Sequence, residues 1–233
     1  MNIDKSKTHF VLIGGFSSDH LGTMGLKKSL EKIGYSADAI SFYGEKYIND
    51  FTDLKISDCI ANVSGLIDRC AEQYEKVFGI GISLGGALLM EHAKRSDNLK
   101  GIASIGTPFR LNNRALMNFG QKILPTVYLL WRRMQKIKWL RLHPIGAANM
   151  IIEYLETDFL KGLDFVKIPI LLLHSKKDQI SDCSALPEYL DLISSERKKI
   201  TFFHNGDHVI SHDPDSIIEY YLDFLGLDNE YNL

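Results

Sequence analysis

Cysteine is scarce in this chain, and its pattern argues against two kinds of site. The 233 residues include three cysteines, Cys59, Cys70 and Cys183. Their number is odd and no two of them form a Cys-x-x-Cys pair, so the sequence indicates neither a disulfide framework nor a zinc site. We therefore expect reduced, packed thiols of the kind found in cytoplasmic proteins.

Long apolar runs and a strong net charge are also missing. No apolar run approaches the ~20 residues that a membrane-spanning helix needs, and residues 1–7 are polar, without the apolar core of a signal peptide. A net charge of −2 gives the whole chain no general attraction to nucleic acid. The composition, 45% hydrophobic and 24% charged, is that of a globular protein with enough chain for one α/β core. We predict a cytoplasmic protein.

Short apolar strands alternate with helical segments along most of the chain, which predicts an α/β fold with a mostly parallel sheet and helices on both faces. Residues 109–163 break this pattern, because they contain no clear strand and favour two or three helices. We predict a core of residues 1–108 and 164–233, with 109–163 inserted as a helical cap after the strand that ends near Gly106. The predicted strands are 9–13, 35–42, 76–82, 99–106, 168–174 and 199–203, and the predicted core helices are 21–33, 58–74, 84–94, 184–193 and 215–225.

The sequence Gly81-Ile82-Ser83-Leu84-Gly85 lies between a buried strand and a helix and matches the pattern G-x-S-x-G. A serine on such a sharp strand-to-helix turn has a strained backbone and an exposed hydroxyl. The turn brings the residues two before and two after the serine close together, so that small residues are needed there. Ser83 would also lie at a helix N-terminus, where N–H groups point at developing negative charge. The alternative is an ordinary turn in which Ser83 only caps the helix.

A nucleophilic serine needs a base and a group that orients the base. Asp178 and His208 each follow the end of a predicted strand, so both would lie at the same edge of the sheet as Ser83. The order Ser, Asp, His along the chain is the order found in α/β-hydrolases. Asp182 is the alternative acid, and His204 and His212 are alternative bases.

Three other candidate side chains have simpler interpretations. His174 falls at the end of a buried strand and is interpreted as a hydrogen-bonded core histidine. His20 could touch substrate but is expected to face solvent. Cys183 lacks a neighbouring base and is interpreted as packing.

On these residues the chain resembles the α/β-hydrolases, and within them the bacterial carboxylesterases that are similar to monoacylglycerol lipases. The resembling segments are residues 12–16, 81–86, 169–178 and 206–214. The resemblance implies that Ser83 is the nucleophile, His208 the general base and then acid, and Asp178 the carboxylate that orients it. It further implies that the backbone N–H groups of Phe16 and Leu84 form the oxyanion hole. The chain departs from the family pattern where Gly14-Gly15-Phe16 stands in place of the usual His-Gly-Phe, and in a minor way where Gly206-Asp207-His208 stands in place of the frequent Ser-Gly-His.

The predicted cap is basic on one side. No Asp or Glu occurs between residues 110 and 141, so the rest of the chain is net acidic. An amphipathic helix over residues 126–137 would place Trp131 and Met134 on its apolar face, where we expect them to contact an acyl chain. Contact of the opposite, basic face with an anionic membrane is the alternative. The basic residues are Arg110, Arg114, Lys122, Arg132, Arg133, Lys136, Lys138 and Arg141.

The sequence thus predicts a serine hydrolase that cleaves carboxylic esters with an apolar acyl chain through an acyl-enzyme, without a metal or cofactor. A thioesterase, lysophospholipase or acyltransferase would use the same three residues, and a ligand-binding relative of the hydrolases is the non-enzyme alternative. The substrate is expected to be a small molecule or a lipid-like ester.

Overall fold

A computed structural model describes residues 4–16, 21–43, 55–112, 145–204, 208 and 213–227. Six strands in this part of the chain form one sheet in the order β2-β1-β3-β4-β5-β6, and every neighbouring pair is parallel. This confirms the predicted α/β class with its parallel sheet. The strands are β1 Thr8–Ile13, β2 Ser36–Ile40, β3 Lys76–Ile82, β4 Leu99–Ile105, β5 Ile170–Ser175 and β6 Lys198–Phe203.

The described helices follow the strands as predicted, with bounds that differ by one or two residues. Parallel neighbours require a crossover, and an amphipathic helix supplies it because its apolar stripe can cover the sheet. No described helix is both long and apolar enough to cross a membrane. The helices are α1 Leu21–Lys32, α2 Ile56–Gln73, α3 Leu84–Ala93, α4 Ile145–Glu156, α5 Leu186–Leu192 and α6 Pro214–Leu225.

Both faces of the sheet are covered by a buried core. One core is formed with α1 and α6 and contains large side chains such as Leu30 and Tyr221. The other is formed with α2, α3, α4 and α5 and contains Val63, Leu88 and Tyr154. Because both faces are buried, the central strands are almost wholly apolar, as their sequences indicate.

The strand order reverses between β1 and β3. The chain goes from β1 outward to β2 and then returns to place β3 on the other side of β1. The loops after β1 and β3 therefore diverge at the carboxyl edge, where open α/β sheets bind ligands. Ser83 directly follows β3 and therefore lies at this reversal of the strand order.

The predicted cap insertion is described only at its two ends. Helix α4 buries Ile151 and Tyr154 against the core. The rings of Phe109 and Phe159 lie 5.3 Å apart, so the two ends of the insertion meet. Residues 113–144, with most of the basic run, lie outside the described residues, and the cap boundaries remain a prediction.

Candidate active site

Ser83 occupies a strained turn between β3 and α3. Its φ of 53° makes it the one non-glycine residue with positive φ in the described part of the chain. Three hydrogen bonds hold the turn: the Ser83 N–H donates to Ile105 O at 2.7 Å, and Ser83 O accepts from the Thr107 hydroxyl at 2.9 Å and from the Gly86 N–H at 3.0 Å. A serine in this region is held by its surroundings, and such strain is often found at functional sites.

The glycines on either side of Ser83 are required by close backbone contacts. A Cβ atom at Gly81 would overlap the backbone nitrogen of Gly86, and one at Gly85 would overlap the carbonyl oxygen of Ile13. The strand-to-helix turn is therefore packed against itself and against the end of β1. The small residues that the G-x-S-x-G pattern requires have a direct steric reason here.

His208 links Ser83 to Asp178. Its Nε2 atom lies 2.9 Å from Ser83 Oγ, and its Nδ1 atom lies 2.9 Å from Asp178 Oδ2 and 3.0 Å from Oδ1. The carboxylate is acceptor-only when ionised, so Nδ1 carries a proton and Nε2 presents its lone pair to the serine hydroxyl. Because one imidazole bridges the other two groups, the arrangement can take a proton from Ser83 and stabilise the resulting charge.

Asp178 is a buried carboxylate whose charge is well supported. Burial by itself would raise its pKa, but the imidazoles of His174 and His208 and the N–H of Ser181 outweigh burial and hold the pKa well below its usual range. The N–H groups of Ile180 and Ser181 donate to Oδ1 at 2.8 and 2.9 Å. The side chain is 0% exposed, so solvent contributes little to this stabilisation.

Two residues near Asp178 were not predicted to belong to the site. His174 Nε2 lies 2.9 Å from Asp178 Oδ2, so the buried histidine at the end of β5 contacts the same oxygen as His208. Asn112 donates from Nδ2 to Asp178 O at 3.0 Å and to Ser181 O at 2.9 Å, which ties the acid loop to the chain leaving β4. The sequence carries no signal for Asn112, because its contact joins residues 66 positions apart. His174 precedes Asp178 by four positions, and this spacing could have indicated their contact.

The alternative acid Asp182 is engaged elsewhere. Its Oδ2 accepts hydrogen bonds from Arg110 at 2.7 and 3.0 Å, and its Oδ1 accepts the N–H of Ser184 at 3.0 Å. Asp182 thus pairs with the first basic residue of the cap run and caps the short 3-10 helix at Cys183–Ala185. Of the two candidate acids, Asp178 is the one in contact with His208.

Of the two candidate oxyanion donors, one adjoins Ser83 in the sequence and the other follows a glycine that packs against Ser83. Leu84 is the first residue of α3 and directly follows the serine. Phe16 follows Gly15, where an added Cβ would lie 2.9 Å from Ser83 Cβ. The Phe16 ring packs edge-on against Phe42 at 5.7 Å, which fixes this end of the β1 loop. The roles of both N–H groups remain a prediction.

The other predicted site residues have separate positions. His204 is exposed at the end of β6, and Cys183 is a half-buried free thiol. Trp131, Met134, His20 and His212 lie outside the described residues.

Several known structures have the same architecture and align with nearly the whole chain. A structure described under LipS and LipT, two metagenome-derived lipolytic enzymes, shares 18% identity over 95% of this chain and 94% of its own, with a TM-score of 0.76. The monoacylglycerol lipase of Paleococcus ferrophilus shares 18% identity over 94% and 92%, with a TM-score of 0.66. A soluble variant of the Saccharomyces cerevisiae monoglyceride lipase, in complex with a substrate analogue, shares 14% over 97% and 87%, with a TM-score of 0.71. The chain therefore has the α/β-hydrolase fold, as its motifs predicted.

The sequence also identifies the family to which the chain belongs. Residues 34–215 match the hydrolase family described as serine aminopeptidase, S33, and the chain belongs to that family. The matched segment runs from β2 to the start of α6 and includes Ser83, Asp178 and His208. No curated protein matches the chain by sequence.

Proposed function

We propose that this protein is a serine hydrolase that cleaves carboxylic esters with an apolar acyl chain. The observation that carries the proposal is the contact chain from Ser83 Oγ through His208 to Asp178, with 2.9 Å at both links. The similar structures described as lipolytic enzymes and monoacylglycerol lipases support an ester of this kind as the substrate. The thioesterase, lysophospholipase and acyltransferase alternatives share this chemistry and differ in the group that leaves or accepts the acyl chain.

The proposed reaction has two halves. In the first, Ser83 Oγ attacks the ester carbonyl while His208 Nε2 takes its proton, and His208 then returns that proton to the departing alkoxide. In the second, water loses a proton to His208 Nε2 and attacks the acyl carbon; the bond from that carbon to Ser83 Oγ then breaks, His208 returns the proton to Oγ, and the acid is released. Asp178 holds Nδ1–H and stabilises the imidazolium that forms in each half.

Charge on the carbonyl oxygen would be stabilised at the start of α3. The N–H of Leu84 lies at the helix N-terminus, and the N–H of Phe16 would complete the pair from the β1 loop. Trp131 and Met134 of the cap are proposed to contact the acyl chain. The partner implied by this mechanism is a small-molecule or lipid-like ester, and no step requires a metal or cofactor.

The proposal is tested first with Ser83→Ala and His208→Ala. Each should lower kcat on a short-chain ester by several orders of magnitude while the melting temperature stays close to that of the wild type, because removing a triad member removes chemistry and not the core. A fluorophosphonate probe should label the wild type at Ser83 and leave Ser83→Ala unlabelled. More than a tenth of the activity remaining in either variant would contradict the assignment.

A substrate panel separates ester hydrolysis from its alternatives. The family description names an aminopeptidase, so the panel contains esters of increasing acyl length, a thioester, a lysophospholipid and an amino acid anilide. We expect the highest kcat/KM on an ester. A preference for the thioester, the lysophospholipid or the anilide would replace the proposed substrate class, while labelling by fluorophosphonate would still support the triad.

A further inference from the structure

A second group of reactive side chains lies at the opposite end of the sheet from Ser83. His9 near the start of β1, Asp38 in the middle of β2 and Cys70 near the end of α2 each offer a ligand atom, and these three atoms lie within 4.8 Å of one another. They line a cavity of about 310 Å³ together with Ser36 and Tyr74. His9 precedes Ile13, whose carbonyl borders the Ser83 turn, by four residues of strand, or roughly 13 Å at about 3.3 Å per residue.

The Ser36 hydroxyl lies between His9 and Thr8. Its oxygen is 2.8 Å from His9 Nδ1 and 3.2 Å from Thr8 O. When its one proton is donated to Thr8 O, the oxygen accepts from His9 Nδ1–H, and Nε2 is left with its lone pair. The ring is further oriented by stacking on Tyr74 at 4.5 Å with an angle of 18°. Orientation of a ligating imidazole by a hydrogen bond at its other nitrogen is usual in metal sites.

The free lone pair of His9 faces an oxygen that cannot donate to it. His9 is 4% exposed, and its Nε2 has no hydrogen-bond partner among the described residues. The nearest charged atom is Asp38 Oδ2 at 3.4 Å, which is an acceptor when ionised. Two acceptors 3.4 Å apart, of which the His9 nitrogen is buried, repel each other, and a cation bound between them would remove the repulsion.

We propose that His9, Asp38 and Cys70 bind a divalent zinc-class metal ion, which fastens β1, β2 and α2 together at the amino end of the sheet. Two ligands bonded at ~2.0 Å with tetrahedral geometry lie about 3.3 Å apart, close to the separation of Nε2 and Oδ2. Imidazole, carboxylate and thiolate are all zinc ligands, and the thiolate favours zinc over magnesium or calcium. Binding displaces the Cys70 proton to solvent, so that the Asp38 and Cys70 anions balance the ion.

Both acidic and basic side chains surround the site, and one side of it is open to solvent. Glu31 and Arg69 line the same cavity, and the Lys27 ammonium lies 3.7 Å from Glu31 Oε1. The Asp38 side chain is 52% exposed, so a water molecule can reach the fourth position of a tetrahedral ion. The three protein ligands come from separate segments of the chain, which explains why no short sequence motif indicates them.

The test uses the full chain after treatment with a chelator. Titration with cobalt(II) should produce the near-ultraviolet charge-transfer band of a cobalt–thiolate bond in the wild type and in Cys183→Ser, but not in Cys70→Ser. Titration with zinc chloride in a calorimeter should show one ion per chain and a loss of affinity of about tenfold or more in His9→Gln, Asp38→Asn and Cys70→Ser. Zinc should also raise the melting temperature of the wild type by several degrees, because the ion binds the folded chain.

A similar pair, His92 on α3 and Asp68 on α2, provides the control. His92 is also 4% exposed, its Nε2 lies 4.0 Å from the half-exposed Asp68, and among the described residues this Nε2 has no hydrogen-bond partner and no cysteine joins the pair. His92→Gln should therefore bind zinc like the wild type. Equal zinc affinity in His9→Gln and Cys70→Ser would overturn the proposal. So would the absence of a thiolate band in the wild type, a result that does not depend on any variant folding.

Discussion

At the scale of single residues, the charge of Asp178 is expected to affect both chemistry and stability. Its folded pKa lies below the ordinary value, because hydrogen bonds outweigh burial. A carboxyl of this kind stabilises the fold above its unfolded pKa of about 3.9, and that stabilisation is lost as the pH falls toward the folded pKa. We predict that the difference in free energy of unfolding between the wild type and Asp178→Asn is largest at neutral pH and shrinks below about pH 4.

Urea unfolding of both proteins from pH 7 to pH 3 measures this difference. Asp182→Asn is the comparison: hydrogen bonds from Ser184 and Arg110 also lower the pKa of Asp182, but its side chain is 28% exposed, so we expect a smaller pH dependence than for Asp178→Asn. A difference for Asp178→Asn that stays constant over the whole pH range would contradict the linkage.

His174 is predicted to act as a positioning residue for the acid. It is 1% exposed and its Nε2 lies 2.9 Å from Asp178 Oδ2. His174→Phe should lower kcat roughly tenfold, or ~1.4 kcal/mol in the barrier, with KM unchanged, because the carboxylate loses a polar partner while the substrate contacts persist. His174→Gln should recover part of kcat. If His174→Phe lowered kcat only through lost packing, glutamine would not restore it. A change confined to KM, or no recovery by Gln, would place His174 in the core alone.

At the scale of elements, the turn between β3 and α3 depends on backbone contacts. Gly85→Ala should destabilise the protein by about 1–3 kcal/mol and abolish most activity, because the added Cβ meets the carbonyl oxygen of Ile13 and displaces α3 from β1. Gly65→Ala in the middle of α2 is the control. Its Cβ would meet only Arg69 at 3.6 Å, and alanine is the better helix former by ~1 kcal/mol.

Thermal melts and ester turnover of the two variants check this prediction. We expect a lower melting temperature for Gly85→Ala and an equal or higher one for Gly65→Ala, with activity lost in the first and kept in the second. Equal behaviour of the two variants would mean that the turn tolerates a side chain and that its glycines are not required.

At the scale of the whole molecule, charge is unevenly distributed along the chain. The eight basic residues from Arg110 to Arg141 contrast with a net charge of −2 for the whole sequence. Arg110 is already paired with Asp182 at 2.7 Å, so it is not free for a membrane. The remaining basic residues could still attract an anionic surface at about 1 kcal/mol each, whereas a cap that only covers the acyl chain would not respond to vesicle charge.

We predict that the acyl-chain interpretation of the cap is the correct one. Trp131→Ala and Met134→Ala should then shift the preferred acyl length, and sedimentation with vesicles should not depend on acidic headgroups. The triple variant with Glu at Arg132, Arg133 and Lys136 is the comparison. Vesicle binding that requires acidic lipid, weakens with salt and is lost in this variant would favour the membrane instead.

The sequence by itself determined the parallel α/β architecture, the turn at Ser83 and the choice of His208 and Asp178 as candidates. These follow from local signals: apolar strands, helical periodicity, and glycines whose spacing has a steric cause. The bounds of β3 match those expected, and the other strand bounds differ by at most two residues, since strand ends depend on the neighbouring strand as well as on the local pattern.

Contacts between distant segments were decided only by the tertiary structure. Asn112 reaches the Asp178 loop across 66 positions, and His9, Asp38 and Cys70 come together from two strands and a helix. The strand order in the sheet places β2 and β3 on opposite sides of β1. No local sequence pattern indicates which side chains then face one another. Such contacts arise from register, helix rotation and packing across the sheet, and these are set jointly by all the elements that share the core.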